Sequence, residues 1–248
     1  MMDPTPILAT AGVFLLAGLV KGVIGLGLPT VAIALLSLFM RPAEAAALLL
    51  VPSFVTNLAQ MLGPGLGALS VRLLPMLAGI VFGAGLGALF WRGQGGGAAL
   101  ITLGLLLLAY GLYGLAAPAL RCPPRLERLL ALPTGLATGL LTVGTGVFVL
   151  PAVPLLQALA LDRDRLVQSM GLSFTVSTLA LGAGLHGMGE LRPAQLVPSS
   201  LALAPALAGL WLGTMLRARI SATLFRRIFF IGLLAVGAQI ALRGAGLP

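Results

Sequence analysis

Polar positions are sparse along this chain and come at intervals. The apolar runs between them reach the ~20 residues that a helix needs to cross a bilayer core. They are far longer than barrel strands and do not alternate, so membrane-spanning helices are predicted throughout. The first run, Pro6–Met40, is interrupted by Gly18–Pro29, GLVKGVIGLGLP, which holds four glycines, a proline and the only lysine, Lys21. Glycine and proline weaken a helix in such a run. A broken helix at membrane depth is tolerated only where it is buried in protein or lines a polar cavity. A short polar link, Arg41–Glu44, leads to a helix over Ala45–Leu62. Its Ser53, Thr56, Asn57 and Gln60 recur every three or four residues along roughly one face. A glycine-rich turn (Gly63–Ser70), a span (Val71–Trp91), a tight link (Gly93–Gly97) and a second span (Ala98–Ala117) complete the first half.

The order then returns. Pro118–Leu130, the most polar link, reads as a joint between halves. Ala131–Ala160 is a second broken segment, with GLATGLLTVGTG at Gly135–Gly146 and then Val147–Leu150 and Pro151. After Asp162–Arg165 comes a helix over Leu166–Leu185 bearing Gln168, Ser169, Ser173, Thr175, Ser177 and Thr178. A loop (His186–Arg192), a span (Ala194–Leu216) and a last helix from near Ala222 to Leu242 follow. Ser53-Phe54 falls opposite Ser173-Phe174 once a three-residue insertion is allowed. The organisation expected is a first transmembrane repeat over residues 1–117, a cytoplasmic linker over 118–130 and a second repeat over 131–248.

Composition narrows the class. Of 248 residues, 59% are hydrophobic and 8% charged, and the mean hydropathy is +1.10. So few charges cannot cover a water-soluble domain of this size. Met1–Pro6 lacks a basic n-region, so the first run does not read as a cleaved signal peptide. The net charge of +9 does not indicate nucleic acid, because the arginines are scattered at helix ends. The lone Cys122 can form no internal disulfide.

The arginines also bear on topology. If each broken segment crosses the membrane once, the halves are parallel and the arginines divide almost evenly between the two sides. If each is a hairpin that returns to its starting side, the halves are inverted. Arg72, Arg121, Arg125, Arg128, Arg163, Arg165, Arg217, Arg219, Arg226 and Arg227 then share one side, against Arg41, Arg92, Arg192 and Arg243 on the other. The asymmetry of positive charge across membranes favours the hairpins, with both termini outside the cytoplasm and the joint inside. The fold class expected is an all-α integral membrane protein of two inverted repeats, each a glycine-broken helical hairpin followed by three transmembrane helices.

The candidate chemistry is that of an anion site. No Asp or Glu lies in the middle of an apolar segment. A cation site would want carboxylates or clustered carbonyls. An anion site wants helix N-termini, glycine-exposed N–H groups, hydroxyls and a cation. The candidate substrate-binding residues are Lys21, Gly22, Gly25, Gly27, Asn57, Thr142, Gly144, Thr145, Gly146, Ser173 and Ser177. Each has a plainer reading. Lys21 can snorkel to an interface, the glycines can serve close helix packing, Asn57 can cross-link helices, and the hydroxyls can bond back to their own helix. His186 and Glu190 make no metal site by themselves. No catalytic residue, cofactor or metal is expected: there is no HExxH, no GxSxG and no intramembrane aspartate pair.

The paired hairpins GVIGLGLPTVAI and LLTVGTGVFVLP, each followed by a short link and a helix, resemble the TauE/SafE family of bacterial membrane permeases, the sulfite exporter or toluene-sulfonate uptake family. The sequence departs from the family's usual run of consecutive glycines, with Gly25-Leu26-Gly27 and Gly144-Thr145-Gly146, and its first proline, Pro29, comes early. The resemblance implies a secondary transporter of a small anion, often sulfur-containing, such as sulfite or an organosulfonate. It would work by alternating access at a midplane site between the repeats of a multi-pass protein of the bacterial inner membrane. The competing classes are an anion channel, an intramembrane enzyme and a structural subunit without transport activity. The partners expected are the anion and the bilayer, with a homodimer left open and no nucleic acid.

Overall fold

The computed structural model describes residues 4–94, 96–116 and 121–247. Ten α-helices follow one another: α1 (Pro4–Ile24), α2 (Leu28–Leu36), α3 (Pro42–Met61), α4 (Leu66–Trp91), α5 (Gly96–Ala116), α6 (Pro124–Thr145), α7 (Ala152–Ala158), α8 (Arg163–Gly187), α9 (Leu196–Leu216) and α10 (Ala222–Gly244). A single 3₁₀ turn, Pro193–Gln195, precedes α9. Eight of the helices are long and apolar enough to cross a membrane; α2 and α7 are not. The chain is an all-helical, multi-pass membrane protein.

Helix starts follow local chemistry. Pro42 and Pro124 open α3 and α6, where a missing N–H costs nothing. The Asp162 carboxylate accepts from the Arg165 N–H at 2.9 Å at the start of α8, and Ser221 caps α10 in the same way. The polar joint expected over 118–130 is helical from Pro124 onward, so Arg125, Glu127 and Arg128 ride on the first turns of α6; residues 117–120 lie outside the described residues. The glycine-rich turn before α4 is also shorter than expected, since α4 begins at Leu66.

Both broken segments are asymmetric hairpins. α1 runs without interruption through Gly18, Lys21 and Gly22, and its 21 residues rise about 31 Å at ~1.5 Å each, whereas α2's nine rise about 13 Å. α6 and α7 repeat this with 22 and seven residues. The expected break in mid-helix is therefore displaced to the end of a full-length limb, and the return limb is a short helix.

The described residues form two compact units. The first draws on Met1–Pro52, Gly95–Ala117 and Pro193–Pro248, the second on Ser53–Gln94 and Pro118–Arg192. Each unit therefore mixes the two halves of the sequence.

In the first unit α1 packs along α9. A Cβ on Gly18 would overlap the carbonyl oxygen of Ala206, and one on Gly22 that of Leu210. α5 packs along α10 through Gly104, against Gly237 and Ala241, and through Gly111, against Leu234. Gly97 meets Gly244 at one end and Gly114 meets Phe230 at the other, so α5 and α10 run antiparallel. Pro52 leaves the carbonyl of Leu48 without its usual donor, and the buried Ser199 hydroxyl supplies one at 2.8 Å.

In the second unit α6 packs along α4 by the same device. A Cβ on Gly135 would overlap the carbonyl oxygen of Met76, and one on Gly139 that of Ile80. Underneath lies a repeat in sequence: Pro75–Gly83 reads PMLAGIVFG and Pro205–Gly213 reads PALAGLWLG. Small residues let backbones approach closely, which is how helices associate without a hydrophobic drive between them in lipid.

Candidate functional site

The first unit holds Lys21, Gly22, Gly25 and Gly27. α1 ends at Ile24, and the Gly25 N–H donates to the Lys21 carbonyl at 2.7 Å. Gly25 has φ 88° and Gly27 φ 110°, so the chain turns through two left-handed positions that a side chain rarely adopts. α2 then starts with Pro29 in its first turn, and the Val31 N–H donates to the Gly27 carbonyl at 2.8 Å. Lys21 is 5% exposed and sits in the last turn of α1. A cation there is favoured by the helix dipole whatever else it binds. Gly22 is a packing glycine that faces α9; Gly25 and Gly27 make the break.

At the far end of α2 the Arg243 guanidinium, from the last turn of α10, donates to the carbonyls of Ser37 and Leu38. The return limb of the first hairpin is thus tied by a cation at its C-terminus, where unpaired carbonyls gather.

The second unit holds the remaining candidates. α6 closes on Gly146, at φ 72°, whose N–H donates to the Thr142 carbonyl at 2.7 Å. The Thr142 hydroxyl donates to the Thr138 carbonyl at 2.6 Å and lies 3.3 Å from that of Val147. The Thr145 hydroxyl donates to the Leu141 carbonyl at 2.7 Å and accepts from the Val147 N–H at 3.2 Å. Both hydroxyls therefore hold the break in shape. A Cβ on Gly144 would fall inside the Trp91 indole, whose Nε1–H donates to the Leu140 carbonyl at 2.9 Å. Past the break, Phe148 packs on Phe174 of α8 with ring centres 5.3 Å apart.

On α3 and α8 the hydroxyls divide between those that bond back to their own helix, Ser169 among them, and those that do not. On α8 the Thr175 and Thr178 hydroxyls donate to the carbonyls of Gly171 and Phe174, both at 2.7 Å. The Ser173 and Ser177 hydroxyls, one turn apart on α8, and Ser53 on α3 are fully buried and have no hydrogen-bond partner among the described residues. Asn57, one turn beyond Ser53, is equally buried. In the repeat alignment Ser53 stands opposite Ser173 and Asn57 opposite Ser177. The two helices meet where Gln60 donates to the Val167 carbonyl at 3.1 Å and Gln168 to that of Met61 at 3.0 Å. Ser53 joins Ser173 and Ser177 as a buried hydroxyl in the second unit.

The first unit thus holds one glycine break with Lys21 beside it, and the second unit holds the other break and the buried serine hydroxyls. The model of the family described as sulfite exporter TauE/SafE matches residues 10–240. The chain belongs to the TauE/SafE family. No match is found among curated proteins or among solved structures. TauE/SafE proteins are membrane transporters and not enzymes. Among the described residues, no three His, Cys, Asp or Glu side chains come close enough to hold a metal.

Proposed function

We propose that this TauE/SafE protein is a secondary transporter of a small anion, with sulfite or a small organosulfonate as the substrate class, in the bacterial inner membrane. The observation that carries the reading is the set of buried serine hydroxyls at 53, 173 and 177 without partners among the described residues. A buried hydroxyl left unbonded costs roughly 1–3 kcal/mol, and an anion is the acceptor that recovers it. No acidic side chain stands in the middle of an apolar span to repel such a solute; those in the spanning helices lie in their first turns.

The mechanism proposed is alternating access between inverted repeats. The antiparallel course of α5 and α10 supports it, because these helices hold the last place in their respective halves and would run the same way if the halves were parallel. The twice-made glycine contact, α1 with α9 and α6 with α4, supports the duplication itself. An anion moving outward down a membrane potential gains about 2.3 kcal/mol per charge per 100 mV, so export can run without a second ion.

The test is counterflow in proteoliposomes. Labelled sulfite should enter vesicles preloaded with unlabelled sulfite, saturably. Unitary voltage-driven currents in the same vesicles would instead establish a channel. Neither signal, from correctly inserted protein, would refute transport of this class of anion.

A further inference from the structure

The first unit also holds a groove of different chemistry. A groove of about 270 Å³ runs between α1, α2 and α10, and everything that lines it is apolar. Its floor is Val20, Val31 and Leu233, all buried, and its open edges are Leu16 and Ile228, 47% and 62% exposed. A small hydrated anion gains nothing there, because no polar atom replaces its hydration shell.

Phe225, Ile228 and Phe229 on α10 line the groove, and the exposed Arg226 stands between them in sequence. Arg217 and Arg219 stand just before α10 and are exposed, and no acid occurs from Arg217 through Arg227. A continuous apolar slot lined from α10, with arginines at that helix's start, matches an amphiphile with a hydrocarbon tail and an anionic head. In a bilayer, juxtamembrane basic residues are each worth about 1 kcal/mol toward anionic lipid.

We propose that the groove binds one acyl chain of an anionic phospholipid whose phosphate is held by the arginines at the start of α10. Such a lipid braces the first hairpin. Val31, Ala34 and Leu35 of the return limb form one wall, and Phe229 of the opposite wall lies 3.6 Å from where a Cβ on Gly27 would stand. This assignment does not depend on which solute is carried.

The glycine at 232 provides a clean test. It lines the groove, and a Cβ added there meets nothing within 4 Å. Gly232→Leu therefore puts apolar bulk into the slot from a position where its first added carbon meets nothing. Phosphatidylglycerol added to the detergent-purified protein should raise Tm more than phosphatidylcholine at equal concentration, and native mass spectrometry should retain a phosphatidylglycerol adduct. Gly232→Leu should lose the adduct and the difference in Tm. Arg226→Gln should narrow the preference between the two lipids while leaving the variant folded. An unchanged phosphatidylglycerol effect in Gly232→Leu would overturn the proposal, since the lipid would then be acting on surface charge alone. So would an equal effect of inorganic phosphate, or a dimer mass that Gly232→Leu abolishes, which would give the groove to a second copy of the chain.

Discussion

Arg72 and Glu127 form a two-pronged ion pair: the guanidinium Nε and Nη2 donate to the two carboxylate oxygens at 2.7 and 2.8 Å. The pair joins the second turn of α4 to the first turn of α6, at the end where these parallel helices begin. It explains why the only acid in the 118–130 stretch occurs where it does. Arg72 is 41% exposed along its side chain and Glu127 14%, so solvent screens the attraction. Glu127→Gln should therefore cost about 0.5–1 kcal/mol and lower Tm modestly. A cycle with Arg72→Gln should show that the two substitutions are not additive; additive losses would mean that the pair adds nothing of its own.

The glycine seam between these helices should matter more. Gly135→Ala would drive a methyl into the Met76 carbonyl, whereas Gly85→Ala on α4 meets nothing within 4 Å. Overpacking of this kind costs about 1–3 kcal/mol, and more where backbone is the obstacle. The first variant should lose much of its thermal stability in detergent and the second should match the parent. In the other unit, Gly18→Ala and Gly12→Ala should divide in the same way. Equal Tm values within either pair would mean that the backbones separate at little cost.

Hydropathy alone revealed the spans, because an apolar run bounded by arginines has few other solutions in lipid. The pieces after the breaks, such as Thr30–Met40, are short for a span of ~20 residues and lean toward a half-way return, but the run's apolar character leaves the ends of α2 and α7 open. Hydropathy also could not divide the glycines by task. Gly25, Gly27 and Gly146 serve positive φ, while Gly22 and Gly144 serve contact with α9 and with Trp91, and only the neighbours tell these apart. Charge was misleading at Arg125–Arg128, which read as a link and proved to be the start of α6 held to Arg72. The PMLAGIVFG and PALAGLWLG repeat was legible but sat in spans that looked featureless beside the broken segments. The hydroxyl stripes were legible as stripes; that threonine bonds back to its helix while Ser53, Ser173 and Ser177 do not is a matter of geometry.

The orphan serines carry a prediction with an unusual sign. Ser173→Ala and Ser177→Ala remove hydroxyls that bond to nothing among the described residues, so stability should hold or rise slightly. Binding of the transported anion should weaken, by roughly tenfold or more for a bond to a charged group worth ~1.5–3 kcal/mol. Thr175→Val removes a hydroxyl that bonds to its own helix and should leave anion affinity alone. Isothermal titration of the purified variants with sulfite reads all three; full affinity in both serine variants would take α8 out of the site.

Lys21 can be separated from its packing role in a similar way. At the C-terminal turn of α1 a positive charge supports the helix regardless of ligand. Lys21→Ala should lower both Tm and anion affinity if the ammonium also balances the solute's charge. Loss of Tm with unchanged affinity would confine it to the helix end. Lys21→Arg, which keeps the charge, should retain stability better than Lys21→Ala in either case.

The inverted arrangement is open to direct labelling. With Cys122→Ser as the background, cysteines placed one at a time by Arg125→Cys and Arg219→Cys should react with a membrane-impermeant maleimide from the same face. Arg125 lies at the start of α6 and Arg219 between α9 and α10. If both broken segments are hairpins, three crossings follow each, and the two arginines share the cytoplasmic side with Arg72. In parallel halves, each broken segment crosses once and these two arginines face opposite sides. Arg92→Cys, in the link between α4 and α5, should label from the side opposite Arg125 in either topology, so it calibrates the assay. Reaction of Arg125→Cys and Arg219→Cys from opposite faces would contradict the antiparallel course of α5 and α10, which sets the end of α5 and the start of α10 at one face, and would remove the inverted repeat with it.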